Sequence, residues 1–481
     1  MKVPFDIADL VRWTSGSLSR GSPDTVLRGV SIDSRSVESG ELFIAIVGPN
    51  HDGHRFCGMA RERGAACLLV ERGREGSLDS QGGVAIVSVD ETTCALGALG
   101  AAHRASFSGP VVAITGSNGK TTTKEMCASI LSVAAPCHRT PGNLNNQFGL
   151  PLTLLSRDEH DCTMVVELGM NHRGEIAELV RLARPSVALI TNVGTAHIEH
   201  LGSLEEIAME KGDIVATLPS EATAVLNADD AEVMSQAERT AARILTFGTG
   251  GDADVRAVRV GELAGGGYTF ELVTPSGSTG AEVKGLGHTA LVNALAASAA
   301  ALSAGASLRA IAAGLANHEP IDGRLQQREL AGDILLVDDT YNANPQSTEA
   351  ALRMLAARKG TQRALAVLGD MSELGEASEA AHRYTGTLAA KLGIDFLIAL
   401  GDRAETVAAG ALDSGMEPAC VVVAHDHDDA SARANAILKE RSVVLVKGSR
   451  SMRMERVVEA IAAEAGKEIS EQTKTVGDKG A

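Results

Sequence analysis

The sequence predicts an α/β protein of three domains: a mixed α/β N-terminal domain, a central doubly wound domain and a C-terminal Rossmann-like α/β domain. With 481 residues, the chain is too long for one typical core and long enough for about three domains. Two sets of short apolar segments alternate with helical patterns, which is typical of parallel sheets covered by helices. We predict domains at 1–108, 109–321 and 322–466, followed by a polar, disordered tail at 467–481.

The central domain is predicted from the first set of apolar segments, which starts after Pro110. Its strands are VVAITG, TMVVELG, SVALITNVG, ATAVLNADD and RILTFG. Between residues 252 and 284 the pattern changes to alternating segments separated by glycines, which indicates antiparallel strands at the edge of the sheet. An alanine-rich helix is predicted to follow at about 290–304.

The C-terminal domain is predicted from a second set that begins near Ile334. Its strands are ILLVDDTY, LAVLGD, FLIALG, CVVVA and SVVLVKGS. The stretch NHEPIDGR at 317–324 combines proline, glycine and polar residues between the two sets, and we interpret it as the linker. Residues 1–108 contain the segments AACLLV and VAIVSV without a regular alternation, which indicates a separate mixed domain.

Composition and charge exclude several classes of protein. The formal net charge of -17 excludes broad binding to nucleic acid or to an anionic membrane, which needs a basic surface. No stretch reaches about 18 uninterrupted apolar residues, so no membrane span is expected. The seven cysteines form no CxxC pair and lie mostly in apolar runs, which predicts buried, reduced thiols and a cytoplasmic protein.

A phosphate-binding turn is predicted between a buried strand at Val111–Thr115 and a helix at Thr121–Val133. Glycines let the backbone approach a phosphate, the helix N-terminus offers N–H donors, and Lys120 supplies a positive charge. The Thr121 hydroxyl is placed to hold magnesium. The general GxxxxGK[ST] pattern is not met, because Ile114 stands five positions before Gly119. The alternative is a glycine turn beside a surface lysine.

Several motifs beyond this turn resemble the Mur ligase family over nearly the whole chain. They are TGSNGKTTTKEM (115–126), GNLNNQFGLPLTLL (142–155), VELGMNHRGEI (166–176), ITNVGTAHIEHLGS (190–203), GRLQ (323–326), DDTYNANPQS (338–347), LGDMSELG (368–375) and KGSRSMRME (447–455). The resemblance implies a central P-loop-like ATPase domain, the cofactors ATP and Mg²⁺, and ligation of an amine to a carboxylate through an acyl phosphate.

Within the family, YNANP and LGDMSELG resemble the enzyme that joins D-alanyl-D-alanine to UDP-MurNAc-tripeptide. The segment IDSRSV (32–37) resembles the uridine-binding first domain that this enzyme shares with the ligase acting before it, so residues 1–108 are expected to bind the UDP-substrate. No nucleic acid or membrane partner is implied, and a monomer is expected. The open alternatives are that preceding ligase, folylpolyglutamate synthase, or a nucleotide-dependent binding protein on the same scaffold.

The resemblance assigns roles to individual side chains. The catalytic residues it implies are Lys120, Glu167, His197, Lys211 and Arg324. Magnesium would be held by Thr121, Glu167, His197 and Lys211, the lysine only if it is carbamylated. Taken singly, Glu167 and His197 would more often be structural polar groups at strand ends, and Lys211 and Arg324 surface charges.

The remaining roles concern the two substrates. The implied ATP contacts are Gly116, Ser117, Asn118, Gly119, Lys120, Thr121, Thr122, Asn293, Arg324, Asp339, Tyr341, Asn342 and Asn344. The implied contacts to the UDP-substrate are Ser34, Arg35, Asn143, Asn145 and Asn146. Asparagines near glycine are also common turn formers, and Asn293 can equally pack within its alanine-rich helix.

Overall fold

The fold is described from a computed structural model of the chain, in which residues 3–48, 51–75, 83–438 and 441–464 are described. Within these ranges the α/β class and the three-domain architecture predicted from the sequence are confirmed. The predicted tail at 467–481 and the predicted end of the last domain at 466 lie outside the described residues. No helix in the described ranges combines the length and the apolar character needed to cross a membrane.

The N-terminal part contains a mixed sheet of five strands and a separate two-stranded ribbon. The five-stranded sheet has the order β2-β7-β6-β5-β4, in which only β2 is antiparallel to its neighbour. Strands β1 and β3 form the ribbon. The elements of the N-terminal part are β1 Phe5–Asp6, α1 Ile7–Thr14, β2 Ser17–Arg20, β3 Val26–Leu27, β4 Val30–Ser31, β5 Leu42–Ile44, α2 Cys57–Glu62, β6 Cys67–Glu71, β7 Ala85–Val89 and α3 Thr92–Ala105.

The central part is built on a nine-stranded sheet of order β16-β15-β14-β13-β12-β11-β8-β10-β9. Strands β8 to β14 pair in parallel with one another. At one edge of the sheet, β15 pairs antiparallel with both β14 and β16, as predicted. The elements are β8 Val111–Thr115, α4 Lys120–Ser132, β9 Cys137–Arg139, α5 Gly149–Leu155, β10 Thr163–Glu167, α6 Glu175–Ala183, β11 Val187–Ile190, α7 Ile198–Leu201, α8 Leu204–Ala216, β12 Thr223–Asn227, α9 Ala231–Met234, β13 Arg243–Gly248, β14 Val255–Glu262, β15 Gly267–Thr274, β16 Gly277–Lys284, α10 His288–Ser303 and α11 Leu308–Ala316.

Strand β8 occupies the place where the chain changes direction across this sheet. The chain runs from β8 to β9 and β10 on one side, and then crosses back to β11 on the other. Open α/β sheets bind their ligands at such a switch point, outside the carboxyl ends of the strands. Separate apolar clusters cover the two faces of the sheet, so its strand ends are held by packing from both sides.

The C-terminal part is a six-stranded sheet of order β17-β18-β22-β19-β20-β21, parallel except for the β17–β18 pair. Its elements are β17 Gln326–Leu330, β18 Ile334–Asp339, α12 Pro345–Lys359, β19 Arg363–Gly369, α13 Ser378–Lys391, β20 Phe396–Leu400, α14 Ala404–Asp413, β21 Val421–Ala424, α15 His427–Ile437 and β22 Ser442–Lys447, followed by helical residues 455–464.

The cysteines differ in part from the prediction of buried thiols. All seven are free, and Cys57, Cys67 and Cys127 are buried. Cys94 and Cys162 are exposed, so the prediction is wrong for these two. The reason is that α3 is amphipathic and Cys94 lies on its solvent side, whereas Cys162 lies in a loop before β10.

Candidate active site

The predicted phosphate-binding turn lies between β8 and α4 at the carboxyl edge of the central sheet. Gly119 precedes α4 with φ +80°, in the left-handed region that favours glycine. A Cβ on Gly119 would lie 2.4 Å from Oδ1 of Asn293, and one on Gly116 would lie 1.9 Å from Oγ1 of Thr191. Gly116 is therefore required by the close approach of Thr191 and the Asn192 backbone, whereas Gly119 is required chiefly by its left-handed conformation.

Replacing Gly119 with alanine is expected to destabilise this turn and to weaken nucleotide binding. The left-handed conformation alone costs a non-glycine residue about 1–2 kcal/mol. Gly174 is a matched control, since it also precedes a helix at φ +85° but a Cβ there would meet nothing within 4 Å. Thermal unfolding and nucleotide titration of Gly119→Ala and Gly174→Ala measure the difference. Equal nucleotide affinity in the two variants would contradict the importance of the Asn293 contact.

The end of β11 braces the turn from the neighbouring strand. The Asn118 amide donates to Oδ1 of Asn192 at 2.9 Å, and Nδ2 of Asn192 returns a bond to the Asn118 carbonyl at 3.0 Å. Oγ of Ser117 donates to the Gly194 carbonyl at 3.0 Å, and Oγ1 of Thr191 donates to the Asn118 carbonyl at 2.6 Å. The motif ITNVG was recognised in the sequence, but this bracing role was missed.

Lys120 begins α4, and its Nζ donates to the Gly116 carbonyl across the turn at 2.7 Å. Burial lowers the pKa of this lysine, the charge of Glu167 opposes that effect, and the charge of Arg324 adds to it. Two further predicted catalytic side chains, Glu167 and Arg324, are therefore close enough to act electrostatically on Lys120.

Glu167 ends β10 and is 2% exposed. One carboxylate oxygen, Oε1, accepts a hydrogen bond from Nδ2 of Asn145 at 2.8 Å, while the other, Oε2, is buried without a hydrogen-bond partner. A buried, unpartnered carboxylate oxygen is costly unless a cation or another donor meets it. Asn145, predicted to bind substrate, thus also orients Glu167.

Lys124 is a site-supporting residue that the sequence did not reveal. It lies on α4 and is fully buried, with Nζ donating to the carbonyls of Thr140 at 2.7 Å and Gly142 at 3.2 Å. Oγ1 of Thr140 in turn accepts from the Glu167 amide at 3.0 Å. A lysine next to a run of threonines gives no local signal that its ammonium will bind backbone carbonyls sixteen or more residues away.

His197 precedes α7 in a left-handed conformation, with φ +65°. Its Nδ1 lies 2.6 Å from Oε2 of Glu373, which belongs to the C-terminal domain. Nδ1 is nevertheless among the buried atoms without a hydrogen-bond partner, so the two groups are in contact without hydrogen-bond alignment. Glu373 was not singled out from the sequence.

Lys211 lies on α8 and is 1% exposed. Burial lowers its pKa well below the ordinary lysine value, the charge of Lys120 lowers it further, and Glu210 opposes the shift. Glu210 itself accepts from the amides of Gly174 at 2.7 Å and Ile176 at 2.9 Å, at the start of α6. The alternative of Lys211 as a solvated surface charge is therefore wrong, and its surroundings favour the neutral amine more than those of an exposed lysine do.

Among the described residues, two hydrogen bonds join the C-terminal domain to the phosphate-binding turn. Nη2 of Arg324 donates to Oγ1 of Thr121 at 2.9 Å, and Nδ2 of Asn344 donates to Oδ1 of Asn118 at 2.8 Å. The guanidinium of Arg324 also stacks 4.1 Å from the Tyr341 ring centroid, and its Nε is buried without a partner. Two predicted ATP contacts from the C-terminal domain thus meet the turn directly.

Asp339 ends β18 and is held by its own domain. Its Oδ2 accepts from Nζ of the buried Lys447 at 2.6 Å, and its Oδ1 accepts from the Leu325 amide at 3.1 Å. Lys447 also donates to the carbonyl of Asn342 at 3.1 Å. Strands β18 and β22 are neighbours, which brings Lys447 to Asp339, and the sequence alone did not indicate this pair.

The other predicted contacts are distributed more widely. Thr122 is half-buried in the first turn of α4, and Asn293 accepts from Oγ1 of Thr123 at 3.4 Å on the adjacent α10. Asn143 is exposed, and Oδ1 of Asn146 accepts from the amides of Phe148 and Gly149 at the start of α5. The turn-forming role that asparagines often have is therefore realised at Asn146.

Ser34 and Arg35 lie in a turn after β4 on the N-terminal domain. Ser34 is buried, with its hydroxyl 3.4 Å from Sδ of Met59, whereas Arg35 is exposed and pairs with Asp33 at 2.7 Å. Within the described ranges, no hydrogen bond or ion pair joins either residue to the phosphate-binding turn.

The carboxylate of Glu167 fits a magnesium ion. The unpartnered Oε2 of Glu167 is a hard oxygen donor, and such donors are what Mg²⁺ prefers. In the described part of the chain no group of three His, Cys, Asp or Glu side chains is arranged for a metal. The predicted magnesium ligands would not form such a group, because only Glu167 and His197 are of these types. The other two predicted ligands are Thr121 and Lys211.

Comparison with known proteins identifies the family. Residues 26–104 match the model "Mur ligase family, catalytic domain", residues 114–301 the "Mur ligase middle domain", and residues 323–450 the "Mur ligase, glutamate ligase domain". The UDP-N-acetylmuramoyl-tripeptide–D-alanyl-D-alanine ligase of Escherichia coli K12 is 39% identical over 91% of this chain and 94% of its own length.

Solved structures agree with the sequence relatives. A crystal structure of MurF from Acinetobacter baumannii has a TM-score of 0.88 at 33% identity, covering 96% of this chain and 99% of its own. MurF from Thermotoga maritima in complex with ADP has a TM-score of 0.80 at 29% identity, covering 92% and 98%. The chain therefore belongs to the Mur ligase family, and within it to the MurF group.

Proposed function

We propose that this protein is an ATP-dependent ligase that joins D-alanyl-D-alanine to UDP-MurNAc-tripeptide in the synthesis of peptidoglycan precursors. The products are UDP-MurNAc-pentapeptide, ADP and phosphate. The observation that carries the proposal is the meeting of Lys120 and Arg324 at one phosphate-binding turn, from two domains, in a chain whose relatives carry this ligase name.

In the first step, an oxygen of the tripeptide carboxylate attacks the γ-phosphorus of ATP. The bond from that phosphorus to the leaving ADP oxygen breaks, and an acyl phosphate forms. Lys120 and Arg324 neutralise the charge that develops on the transferred phosphoryl group, which is the principal demand of phosphoryl transfer. The buried Nε of Arg324, which lacks a hydrogen-bond partner, provides a donor for a phosphate oxygen.

In the second step, the free amine of D-alanyl-D-alanine attacks the carbonyl carbon of the acyl phosphate. The tetrahedral intermediate then loses phosphate, and the amine nitrogen loses a proton, which leaves the new amide.

We propose that Thr121, Glu167, His197 and a carbamylated Lys211 hold magnesium. Bound there, the ion would neutralise negative charge on the phosphate oxygens. The unpartnered oxygen of Glu167 and the lowered pKa of Lys211 support this set. A neutral lysine amine adds to carbon dioxide, forming an N–C bond and releasing one proton, and the product presents carboxylate-like oxygens.

We propose that ATP binds where the central and C-terminal domains meet. The turn at 116–122 would contact the phosphates, and Asn293 would contact adenine. The C-terminal domain would contribute further ATP contacts from Arg324, Asp339, Tyr341, Asn342 and Asn344. Ser34, Arg35, Asn143, Asn145 and Asn146 would bind the UDP-substrate. The contacts of Arg324 and Asn344 with the turn support closure of the C-terminal domain over it.

We propose a UDP-substrate-binding domain at residues 1–108, a central ATP-binding domain at 109–321 and a C-terminal ligase domain at 322–466. We further propose a monomer that acts in the cytoplasm. The location is supported by the seven free cysteines, since disulfides are rare in a reducing compartment.

Phosphate release in the presence of ATP and UDP-MurNAc-tripeptide tests the proposed function. We expect release to be stimulated by D-alanyl-D-alanine, and not by a single amino acid or by glutamate. Stimulation by glutamate or by a single amino acid would instead indicate another ligase of the same fold. ATP binding without turnover in any of these mixtures would indicate a nucleotide-binding protein and would refute the proposal.

A further inference from the structure

A second contact region joins the central and C-terminal domains, in addition to the contacts at the phosphate-binding turn. It is formed by the start of α7 and by the loop at residues 370–375. His197 and Glu373 face each other there, with Nδ1 and Oε2 2.6 Å apart, and both are non-glycine residues with positive φ, at +65° and +60°. Such backbone conformations are uncommon and persist where surrounding contacts hold them.

Apolar and backbone contacts support this pair from both domains. Ile198 of α7 packs against a small apolar cluster formed by Ala343, Met371 and Leu374 of the C-terminal domain. The Glu199 amide lies 3.4 Å from the Glu373 carbonyl, at the long end of the hydrogen-bond range. Glu373 is therefore held against α7 by its backbone as well as by its side chain.

The loop carrying Glu373 is fixed within its own domain. The buried His382 accepts from the Met371 amide through Nε2 at 2.9 Å and donates from Nδ1 to the Ser378 carbonyl at 2.7 Å. The Ser372 amide donates to Oγ of Ser449 at 2.8 Å. Glu373 is consequently fixed to the C-terminal domain, so its contact with His197 depends on how that domain is placed against the central one.

We infer that Glu373 is a positioning residue that couples closure of the C-terminal domain to the orientation of the His197 ring. A carboxylate at Nδ1 fixes the tautomer with the proton on Nδ1 and leaves the Nε2 lone pair free to bind a metal ion. The inference rests on the proposed function, in which His197 holds magnesium. Nδ1 and Oε2 are already within hydrogen-bond distance at 2.6 Å, so a hydrogen bond between them requires a change of orientation and not of separation.

The contact has little to contribute to stability by itself. Glu373 is 46% exposed, and exposed ion pairs are weak because water screens them. Removing the carboxylate is therefore expected to leave the fold intact, so its effect can be measured on a folded protein. Glu376 offers a matched control, since it is exposed, lies three residues further along, and makes no ion pair within the described ranges.

The first test measures the tautomer of His197 in the metal-free full-length protein by ¹⁵N NMR, with the signal assigned by its loss in His197→Gln. We expect the Nδ1–H form in the wild type and in Glu376→Ala, a mixture of tautomers in Glu373→Ala, and a partial return of the Nδ1–H form in Glu373→Gln, whose amide oxygen can still accept. An unchanged tautomer in a folded Glu373→Ala variant would overturn the inference.

The second test measures the affinity for Mn²⁺ in the presence of ADP by electron paramagnetic resonance. Loss of a partner that orients a metal-binding histidine typically lowers affinity about 10–100-fold, and we expect such a loss in Glu373→Ala but not in Glu376→Ala. Equal affinity in all three proteins would overturn the inference. Neither test uses D-alanyl-D-alanine, so failure of the ligation assay alongside these expected results would refute only the proposed substrate.

Discussion

Lys120→Ala is expected to lower turnover about a hundredfold or more while the protein remains folded. The side chain begins α4 and spans the turn to the Gly116 carbonyl, so its ammonium serves the phosphate site and not an apolar core. The loss should appear in the rate of phosphate release at saturating substrates, because the lysine neutralises charge that grows during phosphoryl transfer.

The matched control for this variant is Lys391→Ala. Lys391 is exposed at the end of α13, in the C-terminal domain. Circular dichroism and thermal unfolding of both variants establish that each is folded. Unchanged turnover in folded Lys120→Ala would contradict the assignment of this turn as the phosphate site.

Lys211→Ala is expected to lose most of its turnover and to recover part of it when short carboxylic acids such as formate or acetate are added. Burial and the charge of Lys120 lower the pKa of Lys211, so the neutral amine is present at pH values where an ordinary lysine is protonated. That neutral amine is the form that adds to carbon dioxide. A small carboxylate entering the vacated space would replace the oxygens of the carbamate.

Two measurements check this prediction. Phosphate release is titrated with formate and acetate in Lys211→Ala, with Lys120→Ala as the control that carboxylates should not rescue. Carbon-13 NMR of the wild type under labelled carbon dioxide is expected to show a carbamate signal that is absent from Lys211→Ala. An unmodified Lys211 together with a fully active alanine variant would show that the carbamate role is wrong.

Local patterns account for the parts of the fold that the sequence predicted. The strand at Val111–Thr115 was predicted with the observed bounds, since a short apolar run between turn signals is a local feature. The predicted helix at Thr121–Val133 is observed at Lys120–Ser132, a shift of one residue at each end. The antiparallel edge of the central sheet was predicted because alternation of apolar and polar residues is also local.

Contacts between distant segments account for what the sequence did not reveal. Lys124 and Lys447 are both buried because carbonyl or carboxylate oxygens from other segments surround their ammonium groups. The pair of His197 and Glu373 exists only where two domains meet. Glu125 pairs with the adjacent Lys124 at 3.1 Å, but the residues beside Lys124 do not indicate its distant carbonyl partners, and those beside Lys447 and Glu373 do not indicate Asp339 and His197. The family motifs, in contrast, indicated Lys120, Glu167 and Arg324 together.

The most direct test of the account follows an oxygen atom from the acceptor substrate to the released phosphate. UDP-MurNAc-tripeptide labelled with ¹⁸O in the reacting carboxylate is incubated with the protein, ATP and D-alanyl-D-alanine, and the phosphate is analysed by mass spectrometry. Because the carboxylate oxygen that attacks the γ-phosphorus leaves with the phosphate, we expect one labelled oxygen in each phosphate formed. Unlabelled phosphate accompanying pentapeptide product would contradict the acyl phosphate mechanism.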